Sequence, residues 1–278
     1  MTNIALDYWN FITRSLPKHE TISGMDSIPN FPSKLFVWAV FFMFLFSVVP
    51  YVTKVVTPKW YSKLPDRKQR EYPSYVVCLV HHIFMVPRAW LHIYLDALRT
   101  NSDLAIVHYA YVEASVAPFC LGYLIGDTVC FAIPEMLRGK FEYIIHHVLV
   151  TWLVVSSLFS SGHMTRFIPH LLLSDTTNLF FNTAWLLRAA GYADSPIVTI
   201  LEILFAISFF IARVINMPLA FYAIFTCEYS EGLGWARYTL APIAILQWYW
   251  FAKILASLTS RFGKKKLLPK KANDNHEE

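Results

Sequence analysis

Nine side chains able to bind, pair or exchange a proton fall inside stretches otherwise built of Leu, Ile, Val, Phe and Ala. They are His81 and His82, Asp127, His146 and His147, Asp175 with Asn178 and Asn182, and Arg213. An ionisable group at the centre of such a stretch costs about 2.5–3.5 kcal/mol on membrane-insertion scales, so each needs a partner or a task. Imidazole gives or takes a proton near neutral pH and can accept an acyl group, and a carboxylate beside it stabilises the imidazolium. The chemistry these residues suggest is proton or acyl transfer at histidine, or recognition of a polar head group at the end of an apolar chain.

Spacing narrows the arrangement. Asp175, Asn178 and Asn182 stand at i, i+3 and i+7, which puts all three on one helical face. His146 and His147 follow a basic link containing Arg138 and Lys140 by only a few residues, so they sit near that side of the membrane. Successive histidines on a helix diverge, so one of His81 and His82 is expected to point away from the other, which also disfavours chelation of a single ion by such a pair. Asp127 and Arg213 should lie at similar middle depths and would attract strongly if adjacent. Glu202 reads as interfacial, and Trp248 and Trp250 read as packing or interface anchors.

The elements that must carry these residues are helices. Apolar runs near 20 residues recur, each enough to cross about 30 Å of hydrocarbon, and dyad alternation of the barrel type is missing. Hydrophobic residues make up 56 % of the 278 positions and charged ones 15 %, against roughly 45–50 % apolar in soluble domains. The expected fold is an all-α membrane protein, a bundle of about seven transmembrane helices. The spans are drawn at Leu35 to Val55, Tyr75 to Leu95, Ala114 to Glu135, Tyr143 to Ser161, Ile168 to Leu187, Ile197 to Phe225 and Tyr238 to Leu258. Prolines inside them, Pro50 and Pro87 among others, predict kinks.

Lys and Arg set the orientation. Fifteen fall in the link after span one, near Arg138 and Arg188, and in the tail from Arg261 onward, against six on the other side. The N-terminus is therefore expected to be lumenal or exterior and the C-terminus cytosolic. The organisation reads as a lumenal extension over 1–34, a first transmembrane helix over 35–55, a basic cytosolic linker over 56–72, a six-helix unit over 73–258 and a basic-then-acidic cytosolic tail over 259–278. The mixed polar stretch before Leu35 does not read as a cleavable signal peptide. The basic residues adjoin apolar spans without exposed aromatic interleaving, which argues against a nucleic-acid partner. Cys78, Cys120, Cys130 and Cys227 show no metal-ligand spacing, and those within apolar runs read as small hydrophobes. No metal and no bound cofactor are expected.

The ordered set Tyr123 to Asp127, Phe141 to Thr151, Leu173 to Asn182, Phe209 to Arg213 and Trp250 to Lys253 resembles the TLC domain family of multi-pass membrane proteins, over roughly Pro73 to Leu258. That family includes ceramide synthases and translocon-associated TRAM proteins. The resemblance to the synthases implies an acyl-CoA-dependent N-acyltransferase, with acyl-CoA as co-substrate, His146 or His147 as base or acyl acceptor, and Asp175 as its electrostatic partner. The synthase pattern has His-Asp followed by a second Asp three residues on, where this chain has Ser174, Asp175 and Asn178.

That region and His81–His82 are more similar to the non-synthase branch, which implies lipid homeostasis: a lipid or acyl chain held among the helices, with His81, His82, Asp127, Asn178, Asn182 and Arg213 as binding residues. A scaffold or translocation accessory is the third reading. The implied setting is the endoplasmic reticulum or a neighbouring endomembrane, with the bilayer and a lipid as partners and a homo-oligomer left open.

Overall fold

The computed structural model describes residues 30–97, 116–159, 171–226 and 230–267, and all regular structure among them is helical. The first helix, α1 (Phe31–Val56), begins with Pro32 in its first turn, where a missing N–H is harmless, and runs through Pro50. A single turn, α2 (Pro58–Tyr61), leads to α3 (Asp66–Ala97), which carries His81 and His82. α4 (Ala117–Asp127) passes through a π-helical segment, Thr128–Ala132, into the short α5 (Ile133–Met136). α6 (Phe141–Phe159) follows.

A 3₁₀ turn, Leu173–Asp175, opens α7 (Thr176–Ala189). α8 (Pro196–Phe209) starts at an N-cap, where the Ser195 hydroxyl accepts from the Ile197 N–H at 3.2 Å and Pro196 follows. It continues through a second π-helical segment, Phe210–Asn216, into α9 (Met217–Thr226). A 3₁₀ stretch, Ser230–Thr239, leads into α10 (Leu240–Leu267).

Five helical stretches among the described residues are long and apolar enough to cross a membrane: Phe31–Val56, Asp66–Leu91, Ala117–Met136, Pro196–Tyr222 and Gly234–Ser260. Phe141–Ser156 is apolar but shorter. The stretch drawn as the fifth span is described only from residue 171, and its polar face of Asp175, Asn178 and Asn182 dilutes its apolar character. Large apolar side chains on the outside, such as Phe36, Phe44, Ile200 and Ile207, are what a hydrocarbon solvent calls for.

Two glycines bring α1 against α4. A Cβ at Gly122 would lie 2.5 Å from Trp38 Cβ and 2.9 Å from the Ala39 nitrogen, and one at Gly126 would lie 2.9 Å from Phe42 Cβ. This is the small-xxx-small device that lets backbones approach where no hydrophobic force joins helices in lipid. The approach seats Phe42, fully buried, edge-on to Phe119 at 5.1 Å and Tyr123 at 5.4 Å. On the other side of α3, Tyr75 stacks on Trp185 of α7 at 3.9 Å and 7°.

Charges gather at one end of the bundle. Glu71 of α3 accepts from Arg67 at 2.8 Å and from Lys140 at 3.3 Å, and Lys140 also joins Glu135. Burial works against the Lys140 ammonium, but hydrogen bonds and attraction from Glu135 and Glu71 hold its pKa above the ordinary lysine value. Glu202, expected at the interface, is largely buried and ion-paired to Arg188. The α7–α8 connection therefore carries its own charge pair.

Candidate functional site

A cavity of about 460 Å³ lies between α3, α4, α6, α7, the α8–α9 run and α10. Its walls are apolar, with Leu153, Val154, Phe205, Met217, Phe221 and Ile243 among them. All nine residues picked out in the sequence line it. Glu142 and Lys253, partly exposed and 3.9 Å apart, also border it. Such a volume lies in the usual range of small-molecule pockets, roughly 300–1,000 Å³, and the mixture of apolar wall and few polar groups is typical of them.

The four histidines differ in what their nitrogens meet. His147 is tied at both: Nε2 lies 2.7 Å from Asp127 Oδ2 and Nδ1 lies 2.8 Å from the Tyr143 carbonyl, one turn back. Asp127 is fixed further by the Ser74 hydroxyl, which donates to Oδ1 at 3.2 Å. His146 leaves Nδ1 without a partner among the described residues and sets its ring edge-on to Trp250 at 5.2 Å. His82 places Nδ1 2.6 Å from the Cys78 carbonyl and 3.3 Å from Cys78 Sγ, and Nε2 3.5 Å from Asp175 Oδ2. His81, 1 % exposed, has no partner for either nitrogen among the described residues and stacks on Tyr123 at 4.0 Å.

One pairing implied by the resemblance to the synthases is corrected, and two points that the sequence left open are answered. Asp175 does not partner His146 or His147; it stands against His82, because α7 packs on α3 and not on α6 at this level. Asp127 and Arg213 do not pair, since Asp127 is taken by His147 and Ser74. His81 and His82 do not diverge out of the site: both line the cavity, their rings 4.9 Å apart at 82°.

Arg213 sits in the π-helical segment Phe210–Asn216, where the wider turn re-aims a side chain relative to an α-helix. It is 6 % exposed, and its fork is filled. Nε donates to the Ser174 carbonyl at 3.2 Å and to Thr177 Oγ1 at 3.0 Å, one Nη to Gln247 Oε1 at 3.1 Å, and the other to Asn178 Oδ1 at 3.1 Å. That second Nη lies 3.9 Å from Asp175 Oδ1. Arg213 thus ties α7 to α10, a role for which its planar donors suit it better than lysine. Asn178 presents its other end to the histidine side, with Nδ2 3.1 Å from His82 Nε2.

Three residues have metal-ligand chemistry at close range. One ligand atom each from His81, His82 and Asp175 falls within 4.8 Å of the others. The fixed cation already beside Asp175 is the Arg213 guanidinium, so the donor set is part of a compensated polar network and does not present an excess of negative charge to a metal.

Several site residues were passed over in the sequence. Ser74, Thr177 and Gln247 satisfy Asp127 or Arg213, and Gln247, fully buried, is the one a search for mid-span polar side chains would have found. Cys78, read as a small hydrophobe, accepts a hydrogen bond from Asn182 Nδ2 at 3.2 Å and faces His82.

Residues 36–256 match the family model described as the TLC domain, a stretch that takes in α1 and ends within α10. The chain is 28 % identical over 203 residues to TLC domain-containing protein 4-B of Danio rerio, covering 70 % of this chain and 74 % of that protein. It is 23 % identical over 145 residues to TLC domain-containing protein 1 of Mus musculus, covering 50 % of this chain and 56 % of that protein. No solved structure matches it. The match covers the helices that build the cavity and all nine of the polar residues picked out in the sequence, and this membrane protein belongs to the TLC domain family.

Proposed function

We propose that this chain acts in membrane lipid homeostasis by holding a lipid or fatty acyl chain in the cavity between its helices, with the head group or carbonyl end against the polar cluster. The observation that supports this most is the division of the cavity itself. One part is a network of paired polar groups around His82, Asp175, Asn178 and Arg213, and the rest is aliphatic and aromatic wall. Apolar walls take up a chain without loss of solvation, and the paired groups are oriented in advance for a polar end.

The arrangement in the membrane belongs to the same proposal. The five long apolar helices, together with α6 and α7, make seven crossings. The excess of Lys and Arg in the linker before α3, around Arg138 and Lys140, and in the tail then puts the N-terminus in the lumen and the C-terminus in the cytosol. Glu142, Lys253 and the Glu71–Lys140 contact then face the cytosolic side, in a membrane of the endoplasmic reticulum or a related compartment.

Purification in mild detergent followed by mass spectrometry of extracted lipid tests the reading. Wild-type protein should carry lipid, and Met217→Trp, which fills the cavity wall, should carry much less while remaining monodisperse. Equal lipid in the two would rule out the cavity as the binding place.

The second reading, acyl transfer from acyl-CoA at the histidine pair, would rest on His146, because both nitrogens of His147 are engaged. A split between the two residues checks this. His147→Gln should lower stability by about 1–2 kcal/mol through loss of a charged hydrogen bond, read as a lower midpoint of thermal unfolding in detergent. His146→Gln should leave that midpoint near wild type. Equal losses would mean that His146 is as structural as its neighbour.

A further inference from the structure

His81 is the group in the cavity lining that lipid holding leaves unexplained. It is 1 % exposed, and neither ring nitrogen has a hydrogen-bond partner among the described residues. Packing holds the ring in place: it stacks on Tyr123 at 4.0 Å and lies nearly parallel to Phe119 at 5.5 Å. Phenylalanine would fill that stack without stranding two polar atoms. A buried polar group with no partner in the chain costs stability, and it calls for a partner from outside.

The neighbouring hydrogen bonds define that partner. The His82 Nδ1–H goes to the Cys78 carbonyl at 2.6 Å and Nε2 accepts from Asn178 Nδ2 at 3.1 Å, so His82 is a neutral ring with both nitrogens engaged. It has no hydrogen left for Asp175 Oδ2, 3.5 Å away, and that oxygen keeps its lone pairs. A nitrogen of His81 and an oxygen of Asp175 lie within 4.8 Å of each other, too far apart for a direct hydrogen bond. One oxygen atom that makes a hydrogen bond of about 2.8 Å to each of two groups, at a tetrahedral angle, spans about 4.6 Å between them. Neutral imidazole offers an N–H and a lone pair, whereas a carboxylate only accepts. A hydroxyl fits the gap: it accepts from His81 and donates to Asp175.

The charges of the lining exclude the alternatives. The Arg213 fork is filled by protein acceptors, Asp127 is taken by His147 and Ser74, and Asp175 lies 3.9 Å from Arg213. A charged ligand end would add an unanswered charge to a low-dielectric space, and an anion would also be repelled by Asp175. What the lining leaves unspent is neutral. Besides His81 there are Nδ1 of His146 and Nε2 of Gln247, whose amide oxygen already accepts from Arg213. The Gln247 N–H suits a carbonyl oxygen.

We propose that the lipid held in this cavity has an uncharged polar end bearing a hydroxyl, and that the hydroxyl sits between His81 and Asp175, accepting from the first and donating to the second. This rests on the lipid-holding reading above and names its ligand class: long-chain alcohols and hydroxyl-bearing neutral lipids, as opposed to fatty-acid anions and phosphate-headed lipids.

The test measures binding of radiolabelled probes with one oleyl chain and different ends to purified full-length protein, stripped of lipid in detergent. The probes are oleyl alcohol, oleyl methyl ether, which accepts a hydrogen bond but cannot donate one, and oleyl sulfate, a fixed anion. The alcohol should bind about tenfold more tightly than the ether, as one lost hydrogen bond requires, and the sulfate should bind more weakly than the alcohol by at least as much. His81→Phe keeps the ring stack and removes both nitrogens. It should bring the alcohol and the ether to equal affinity and raise the unfolding midpoint of the lipid-free protein, whereas a merely structural histidine would leave the preference in place. Equal affinity for alcohol and ether in the wild type, the result a lone water in the gap would give, overturns the proposal and leaves lipid holding intact. So does a preference that survives in His81→Phe, or a sulfate that binds as well as the alcohol. Failure to bind any of the probes overturns both readings together.

Discussion

Arg213→Ala should leave a protein that no longer survives purification in mild detergent as a single species, because the change breaks a buried charged network at its centre. The guanidinium is the shared donor for the Ser174 carbonyl, Thr177, Asn178 and Gln247, and the nearby cation for Asp175. Its removal strands several buried acceptors and one carboxylate, and loss of one side of a buried charged pair costs about 3–5 kcal/mol, a large share of the roughly 5–15 kcal/mol by which folded domains are stable. Arg213→Lys should recover little, since one ammonium on a flexible stem cannot fill acceptors arrayed around a planar fork. Arg213→Ala combined with Asp175→Asn should be less harmful than the sum of the two changes, because the second removes the charge that the first leaves bare. Size-exclusion profiles and unfolding midpoints in a common detergent give the comparison. Wild-type behaviour of Arg213→Ala would mean that the network does not hold α7 to α10.

The identities of the polar residues were legible in the sequence, and their pairings were not. A histidine or arginine in a run of apolar residues announces itself, because the insertion cost has no other explanation than a partner or a task. Whether Asp127 meets Arg213 or His147 depends on which helices are neighbours, and depth along a span says nothing of that. Asp127 and Arg213 do line one cavity, but Asp127 is taken by His147, nearly two helical turns into α6. Asp175, Asn178 and Asn182 share a face as their spacing requires, although Asp175 stands in a 3₁₀ turn.

The π-helical segments at Thr128–Ala132 and Phe210–Asn216 had no signal in hydropathy, because one extra residue per turn leaves composition unchanged. Cys78 was passed over for a different reason. Cysteine in an apolar run is ordinarily a small hydrophobe, and only the helix repeat from Cys78 to His82 would have raised it.

The signal that was present and unused is Gly122-Tyr-Leu-Ile-Gly126, and it supports the last prediction. Neither glycine has a left-handed backbone, so in an ordinary helix interior alanine would be favoured over each by about 1 kcal/mol. At Gly122 the space is filled by backbone: a Cβ would meet the Ala39 nitrogen and the Trp38 carbonyl carbon, both at 2.9 Å, besides Trp38 Cβ. None of these can swing aside, so α1 must move as a body. At Gly126 the tightest neighbour is Phe42 Cβ, with the Met43 nitrogen at 3.4 Å.

Gly122→Ala should therefore destabilise more than Gly126→Ala. Gly122→Leu should cost about 3 kcal/mol, the upper part of the range for overpacking. Trp38→Ala should not relieve it, since alanine keeps the offending Cβ. The damage should reach the site as well. Phe42 closes on His81 at 6.0 Å and on Tyr123 at 5.4 Å, and an α1 pushed outward withdraws the ring that holds the His81–Tyr123 stack from behind. Lipid retained per chain should fall along with the unfolding midpoint in Gly122→Leu. Unfolding at the wild-type temperature would show that α1 does not rest on α4 through these glycines, whereas a lowered midpoint with lipid unchanged would separate the α1 contact from the cavity.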